Sequence, residues 1–155
     1  LDKLFASDVD VQVIWQTGRY YHEEALKHLK AYRGMPVWCS DFITRMDYAY
    51  AAADLIISRA GASSISELCL LKKPVILVPS PNVAEDHQTK NALALVDKEA
   101  AILVADKDAE QQLVPKALEV IHDDERLRLL SRNIATLAQH QSAERIVDEI
   151  VKIIE

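Results

Sequence analysis

Glycine is scarce in this sequence, with three residues among 155, at positions 18, 34 and 61. Phosphate-binding loops of the GxGxxG and Walker types need several glycines close together, and the Walker loop also needs a lysine. The wide spacing of these glycines excludes both loop types. Any site for a phosphorylated ligand must therefore use another arrangement of the backbone.

Cysteine and metal-ligand patterns are equally sparse. Cys39 and Cys69 lie in separate apolar segments without the close pairing of a zinc or redox motif, so we expect reduced core thiols and no disulfide. The five histidines show no ligand spacing. Asp8 and Asp10 form a D-x-D motif, but they precede a predicted strand and are expected to be solvated turn residues. The sequence predicts no metal ion and no cofactor.

Basic charge is in short supply as well. Lysine and arginine total 18 against 24 acidic residues, which gives a net charge of -6 and a pI near 5.4. Nucleic acid would meet an unfavourable overall field, and we do not expect it as a ligand. No apolar run approaches the ~20 residues that a bilayer-spanning helix needs.

The sequence does contain a regular alternation of short β-branched runs and longer segments of helical period. The strand-like runs cover residues 9–16, 36–40, 54–58, 74–79 and 101–105. Runs such as "DLIIS" and "PVILVP" are nearly continuously apolar, as in parallel strands that helices cover on both faces. We therefore predict an α/β fold, a Rossmann-like parallel sheet with helices on both faces, in one domain over residues 1–155.

From about residue 108 onward the pattern predicts helices only. Pro115 suits the first turn of the first of these helices. The last helix carries apolar residues at helical spacing, which predicts ordinary core packing for Ile146, Val147, Ile150, Ile153 and Ile154.

The loop after the third predicted strand, "SRAGASSISE", is suited to an anion. Gly61 can adopt positive φ, and Ala62, Ser63 and Ser64 place small side chains over the first free N–H groups of the next helix. The helix dipole and these amides favour a phosphate or diphosphate. Ser64 and Glu67 also have the spacing of a capping box, which needs no ligand, and the spacing alone leaves both interpretations open.

The loop after the fourth strand, "AEDHQTKN", brings polar groups to the start of another helix. Asp86, His87, Gln88 and Asn91 could orient the hydroxyls of a sugar. An N-terminal cap by Asp86 is the simpler interpretation. A catalytic pair of Asp86 and His87 is disfavoured because adjacent helical residues face different ways.

Taken in order and spacing, "DFITRM", "ADLIISRAGASSISEL", "KKPVILVPSP" and "EDHQTKNA" resemble the C-terminal, donor-binding half of the MurG family of bacterial N-acetylglucosaminyltransferases. The resemblance covers nearly the whole chain. It implies the C-terminal half of a GT-B glycosyltransferase, which in peptidoglycan synthesis transfers N-acetylglucosamine from UDP to lipid I and gives lipid II. A location in the cytoplasm, peripheral on the inner face of the cell membrane, is also implied.

The resemblance implies roles for individual residues. Phe42 and Ile43 would bind uracil, the second through its backbone, with Met46 packing nearby. The start of the helix after Gly61 would face the diphosphate, Glu67 would bind the ribose hydroxyls, and Gln88 would read the sugar hydroxyls. The residues implied to bind the donor are Phe42, Ile43, Met46, Gly61, Ala62, Ser63, Ser64, Ile65, Ser66, Glu67, Asp86, His87, Gln88 and Asn91.

The same resemblance implies inversion at the anomeric carbon, with UDP as leaving group and no metal ion. The acceptor site and the general base belong to the family's N-terminal domain, so no catalytic residue is expected in this sequence and the chain alone is expected to be inactive. Its partners would be UDP-N-acetylglucosamine, that N-terminal domain and a lipid-linked acceptor.

The family also has a glycine-rich loop that opens the C-terminal domain, and this sequence lacks it. We therefore expect a fragment without its first strand, which would lie centrally, between the strands at 9–16 and 54–58. Two exposed strand edges would follow, and a non-native dimer of the fragment is one hypothesis.

Two other function classes fit the same loops. One is a related transferase or sugar-nucleotide epimerase with another substrate. The other is a non-catalytic nucleotide-sugar-binding subunit of a two-chain transferase. A signalling domain of the flavodoxin type is disfavoured because no acidic cluster follows the first predicted strand.

Overall fold

A computed structural model of the protein describes residues 11–82 and 86–154, together with Leu4. Two features of the sequence lie outside the described residues. One is the start of the first predicted strand at residues 9 and 10, and the other is the D-x-D motif of Asp8 and Asp10.

Strands and helices alternate along the described chain. The five strands are short: β1 Val13–Gln16, β2 Val37–Ser40, β3 Ile56–Ser58, β4 Val75–Leu77 and β5 Ile102–Leu103. The helices are α1 Gly18–Leu29, α2 Met46–Ala52, α3 Ala62–Leu71, α4 His87–Val96, α5 Ala109–Ile121, α6 Asp124–Ala135 and α7 Ser142–Ile154. Single 3-10 turns occupy Lys30–Tyr32 and Asp106–Asp108.

The strands form two parallel sheets. β1 pairs with β2 from Val13 opposite Val37 to Gln16 opposite Ser40. The second sheet has the order β3-β4-β5, and all its pairs are parallel. Within the described residues β1 and β3 are not paired with each other, so each presents one open edge. The predicted α/β class with parallel strands is confirmed, and the break falls between the two strands that the sequence predicts to be separated.

Helices cover both faces of the second sheet, as the sequence predicts. Every residue of β4 is buried, and successive side chains of a strand point to opposite faces. Val75 and Leu77 belong to a core that also holds Leu68 and Cys69 of α3 and, from α6, Ile134. On the other face Ile76 and Val78 pack with Val104, and α5 contributes Leu113 and Ala117.

The helices after β5 differ from expectation in two respects. Pro115 lies in the interior of α5, because that helix begins six residues earlier at Ala109. The apolar face of α7 was predicted to be core, but no residue of this helix is buried, and Ile153 is 85% exposed. Ile146, Val147, Ile150 and Ile154 are also more than half exposed. In the described parts of the chain, none of the helices has both the length and the apolar character for crossing a bilayer.

Several turns use left-handed backbone without glycine. Lys72 ends α3 with φ 57°, Glu99 follows α4 with φ 51°, and Gln141 precedes α7 with φ 56°. Asp86, at the cap position of α4, has φ 51°. L-residues bear a steric cost of about 1–2 kcal/mol in this conformation, although aspartate tolerates it better than most.

Candidate functional site

The candidate site lies at the edge of the sheets where the strands end, here called the carboxyl edge. The loops after β1 and β2 lie together at this end of the first sheet, and the loops after β3 and β4 lie together at this end of the second, because the strand pairs within each sheet are parallel. A hydrogen bond from Tyr50 to Glu67 connects the two groups of loops. In open α/β sheets this edge is where ligands bind. Hydrogen bonds between loops that are distant in sequence organise it, and they are described loop by loop below.

The helix after Gly61 begins earlier than the capping-box interpretation requires. α3 starts at Ala62, Gly61 occupies the cap position, and the Ile65 N–H donates to the Gly61 carbonyl at 2.9 Å. Ser64 is therefore the third helical residue and not the cap, and no side chain caps this helix. The capping box of Ser64 and Glu67 is wrong.

Gly61 itself has φ -68° and ψ 144°, so it does not use the positive φ that glycine permits. A Cβ at this position would meet only the Ser64 hydroxyl, at an ordinary contact distance of 3.8 Å. Neither backbone strain nor crowding within the described protein requires a glycine here. What the residue provides is an unobstructed approach to the backbone.

The first turn of α3 presents amides without an intrahelical acceptor, as every helix start does. Ala62 and Ser63 are exposed and Ser64 is half-buried. The Ser66 hydroxyl donates to the Ala62 carbonyl at 3.0 Å and is thereby satisfied within the helix. Ile65 packs against the core and anchors this turn. The arrangement can accept an anion at the amides of residues 62–64.

Glu67 lies one turn further along α3, with an exposed side chain. The Tyr50 hydroxyl, on α2, donates to Glu67 Oε2 at 3.4 Å. Burial raises the pKa of Tyr50, and the charge and hydrogen bond of the Glu67 carboxylate raise it further. The phenol therefore stays protonated at neutral pH and acts as the donor. Sequence reasoning missed this pairing.

The loop after β2 carries the residues implied to bind a base. Phe42 is 63% exposed, Ile43 is buried at 8%, and Met46 is half-buried at the start of α2. The Ile43 N–H donates to Gln16 Oε1 at 2.8 Å, which leaves the Ile43 carbonyl as the backbone group for a ligand. Gln16, at the end of β1, is a residue that sequence reasoning missed.

Hydrogen bonds within the β2 loop fix its shape. The Phe42 N–H donates to Asp41 Oδ1 at 2.8 Å, and the Ser40 hydroxyl donates to the Phe42 carbonyl at 2.9 Å. The Thr17 N–H and hydroxyl donate to the Ser40 carbonyl at 3.0 and 3.2 Å. These hydrogen bonds fix the backbone that carries the exposed Phe42 ring.

The start of α4 contains the four polar residues predicted after β4. Asp86 occupies the cap position, but its carboxylate accepts the Thr89 hydroxyl at 2.6 Å and caps no backbone N–H. His87 is the first helical residue and is exposed. Asp86 therefore lies at the cap position, as the simpler interpretation predicts, but its side chain does not form the capping hydrogen bond.

The amides of Gln88 and Asn91 bind neighbouring backbone. Gln88 Oε1 accepts the Ser80 N–H at 2.9 Å, and Asn91 Nδ2 donates to the Ala60 carbonyl at 3.2 Å. Gln88 thereby ties α4 to the loop after β4, and Asn91 ties it to the residue before Gly61. Each side chain keeps a second polar atom that a ligand hydroxyl can contact.

Arg59 joins the ends of three strands and was also missed by sequence reasoning. It follows β3, its Nη1 donates to the carbonyls of Val78 and Pro79 at 3.2 and 3.4 Å, and it forms an ion pair with Asp106 after β5. An arginine directly after a predicted strand was the available signal. Its partner lies 47 positions away and could not be read from the sequence.

The described residues contain no group of three or more His, Cys, Asp or Glu side chains arranged to hold a metal ion. Two concave surfaces lie away from the predicted site residues. One is lined by β5, α5 and α6, including Lys116 and Arg126, and the other runs along α7. The candidate site is an open edge with an anion-accepting helix start.

This fold and this edge are those of an open α/β domain that binds its ligand beyond the carboxyl ends of its strands. The chain belongs to the family described as Glycosyltransferase family 28 C-terminal domain, which matches residues 1–150.

Curated relatives are similar to this chain over nearly its whole length. The chain is 81% identical, over all its 155 residues, to the UDP-N-acetylglucosamine--N-acetylmuramyl-(pentapeptide) pyrophosphoryl-undecaprenol N-acetylglucosamine transferase of Parabacteroides distasonis, of which it covers 42%. It is 59% identical over 145 residues to the transferase of the same name from Porphyromonas gingivalis, with 94% of this chain and 38% of the relative covered. The chain thus spans about two-fifths of the length of these relatives.

A solved structure agrees. The crystal structure of MurG from Acinetobacter baumannii matches with a TM-score of 0.84 and 28% identity, over 97% of this chain and 44% of that one. The resemblance to the MurG family that the sequence motifs indicate is confirmed.

Proposed function

We propose that this chain is the part of a MurG-type enzyme that binds UDP-N-acetylglucosamine, the donor for transfer to a lipid-linked muramyl-pentapeptide acceptor. The observation that carries the proposal is the 81% identity, over the whole chain, to a transferase with that name. The uncapped start of α3 at the carboxyl edge supports it independently, because amides and helix dipole there suit a diphosphate.

The donor lies along the carboxyl edge in this proposal. Uracil stacks on Phe42, and its N3–H donates to the Ile43 carbonyl, since the Ile43 N–H is already bonded to Gln16. Glu67 accepts from the ribose hydroxyls. The Gln88 amide donates to a hydroxyl of the amino sugar, since its oxygen holds Ser80. Met46 lies beside the base, and Asp86, His87 and Asn91 complete the sugar end.

The reaction is an inverting displacement. The acceptor hydroxyl oxygen bonds to the anomeric carbon as the bond from that carbon to the diphosphate oxygen breaks, and the electron pair leaves with UDP. The negative charge that develops on the diphosphate is met by the amides of Ala62, Ser63 and Ser64, which are oriented before the reaction. The acceptor proton passes to a base that this chain does not supply.

The remainder of the enzyme follows from the same proposal. An acceptor-binding N-terminal domain supplies the base and the lipid-linked substrate, and the enzyme works in the cytoplasm, peripherally on the inner face of the cell membrane. Peptidoglycan synthesis, and with it cell shape and division, depends on the product.

The test is calorimetry on the full-length gene product with UDP and UDP-N-acetylglucosamine, without added metal. Glu67→Ala should weaken UDP binding by about tenfold to a hundredfold, the range for a lost hydrogen bond to a charged group. Gln88→Ala should weaken the preference for UDP-N-acetylglucosamine over UDP-glucose and leave UDP binding intact.

Matched controls are available on α5. Glu110→Ala and Gln112→Ala make the same side-chain changes at exposed positions outside the carboxyl edge and should leave all affinities unchanged. The isolated 155-residue chain should bind donor weakly or undetectably and transfer no sugar. Turnover by this chain alone, or unchanged UDP binding in Glu67→Ala, would contradict the proposal.

A further inference from the structure

Tyr50 links the two halves of the carboxyl edge. It lies on α2, which follows the loop of Phe42 and Ile43, and its hydroxyl reaches Glu67 on α3, which follows Gly61. β1 and β3 are not paired within the described chain, so no sheet hydrogen bond holds these two loops in register there. The hydrogen bond between the Tyr50 and Glu67 side chains can therefore fix the position of α2 relative to α3.

The Tyr50 ring is itself well anchored. It is half-buried and packs against the core cluster that contains Leu68 and Val75. The end of α2 is also fixed, because Lys73 Nζ donates to the carbonyls of Ala51 and Ala53 at 3.2 and 2.7 Å. The position of the Tyr50 hydroxyl is thus fixed by the packing of its ring against the core and by the hydrogen bonds of Lys73 to the end of α2.

Glu67 is an exposed side chain with several rotatable bonds, and an unrestrained glutamate of this kind samples many rotamers. Fixing it only when a ligand binds costs conformational freedom and so weakens binding. The hydrogen bond from Tyr50 engages Oε2 and restricts that motion beforehand, which leaves Oε1 to accept from a ligand.

We propose that Tyr50 is a positioning residue that holds the Glu67 carboxylate in the orientation in which it binds the pentose of the donor nucleotide. The inference rests on the proposed function, because it assigns Glu67 to the ribose. Tyr50 touches no substrate atom; it acts through Glu67, and its effect is confined to ligands that carry pentose hydroxyls.

The test compares UDP with 2′,3′-dideoxyuridine diphosphate, by calorimetry on the full-length gene product. Tyr50→Phe keeps the ring and its packing and removes only the hydroxyl. The variant should bind UDP about threefold to tenfold more weakly. It should bind the dideoxy nucleotide as the parent does, since that ligand offers Glu67 no hydroxyl.

Tyr48→Phe is the matched control. Tyr48 lies two positions earlier on α2, hence on a different face, and its 64% exposed ring stacks with the Arg45 guanidinium at 3.8 Å. This variant should keep the parent's ratio of UDP to dideoxy affinity. The double variant Tyr50→Phe, Glu67→Ala should have the same ratio of UDP to dideoxy affinity as Glu67→Ala alone, because Tyr50 acts only through Glu67.

Failures of the two proposals are distinguishable. If Glu67→Ala keeps the parent's discrimination between the nucleotides, the assignment of Glu67 to the ribose is wrong, and the role of Tyr50 fails with it. If Glu67→Ala loses discrimination but Tyr50→Phe retains it, only the role of Tyr50 is overturned. Equal weakening of both nucleotides in Tyr50→Phe would also overturn it, because it would indicate a merely structural role.

Discussion

At the scale of single residues, burial differs sharply between two faces of α3. Leu68 is 1% exposed and belongs to the core under β4, whereas Leu70 is 42% exposed on the same helix. The two positions share helix propensity and chemistry, so a leucine-to-alanine change at each isolates the value of burial.

Leu68→Ala should lower the free energy of unfolding by about 2–5 kcal/mol, because it removes buried methyl groups and leaves a cavity. Leu70→Ala should lower it by less than about 1 kcal/mol. Urea unfolding followed by circular dichroism measures both values. Similar losses in the two variants would show that Leu68 is not a core residue.

Tyr50 also gives stability a dependence on alkaline pH. Its pKa in the folded protein is raised above the ordinary value of about 10, chiefly by burial and then by Glu67. The folded state therefore holds the phenol proton more tightly than the unfolded state. The resulting stabilisation is fully present below pH ~10 and is lost as pH rises through the raised pKa.

Between pH 10 and pH 11 the parent's free energy of unfolding should fall more steeply than that of Tyr50→Phe. Burial raises the pKa of the Cys39 and Cys69 thiols too, but these are present in both proteins and cancel in the difference. Urea unfolding at a series of pH values checks the slopes. Identical slopes would mean that Tyr50 titrates normally.

At the scale of elements, Arg59 fastens the ends of β3, β4 and β5. Its guanidinium donates to two carbonyls after β4 and pairs with Asp106 after β5. The side chains are 56% and 35% exposed, so solvent and salt weaken the ionic part of this contact.

A double-mutant cycle of Arg59→Gln and Asp106→Asn should give a coupling energy of about 0.2–1 kcal/mol. The coupling should shrink in 1 M salt, whereas Arg59→Gln alone should remain the costlier single change because it also loses the carbonyl contacts. The unfolding free energies of the four proteins supply the cycle. A coupling of zero at low salt would contradict the ion pair.

Element order was the part that the sequence predicted best. All five strands were predicted, since β-branched runs such as "PVILVP" have few other stable environments, and within the described residues each strand is shorter than its predicted run. The spacing of Ser64 and Glu67 allowed a capping box that the structure does not form, since α3 begins earlier, at Ala62, and a Ser-x-x-Glu pattern also occurs inside helices. The exposed face of α7 was unpredictable for a related reason: amphipathic spacing indicates an apolar partner but not where it lies.

The candidate site was predicted only in its local parts. The loops that carry Phe42, Gly61 and Gln88 followed from their positions after strands, and no structural observation tests the ligand roles of these residues. Gln16, Tyr50 and Arg59 were missed because their partners are 27, 17 and 47 positions away. Such pairings depend on how the elements pack, which spacing along the chain does not encode.

At the scale of the whole molecule, the open edges of β1 and β3 govern how the 155-residue chain should behave in isolation. The Ile56 N–H donates to the carbonyl of Pro74, the residue before β4, so the N–H of the next residue, Ile57, points to the open side of β3. Ile57 is 47% exposed. Exposed edges with apolar side chains favour strand pairing between copies.

The isolated chain should therefore self-associate with rising concentration in sedimentation experiments. Ile57→Pro removes the outward N–H and should weaken association, because proline cannot donate to an added strand. Ile57→Val, which keeps the N–H, is the control. A monomer at every concentration would contradict pairing through these edges.

Lys72→Gly should raise the free energy of unfolding by about 0.5–1 kcal/mol, because Lys72 ends α3 in a left-handed conformation that glycine adopts without a steric cost. Lys98→Gly, in the turn after α4 but without positive φ, should lower it. Thermal unfolding of the two variants checks the opposite signs.

The left-handed backbone at Lys72, Glu99 and Gln141 lowers the melting temperature below the value that the same fold could reach with glycine at these positions. Each substitution by glycine relieves a separate turn, and contributions from distant sites add. Relatives from organisms with higher growth temperatures are therefore expected to carry glycine at these three positions, which would raise the melting temperature without changing the donor site.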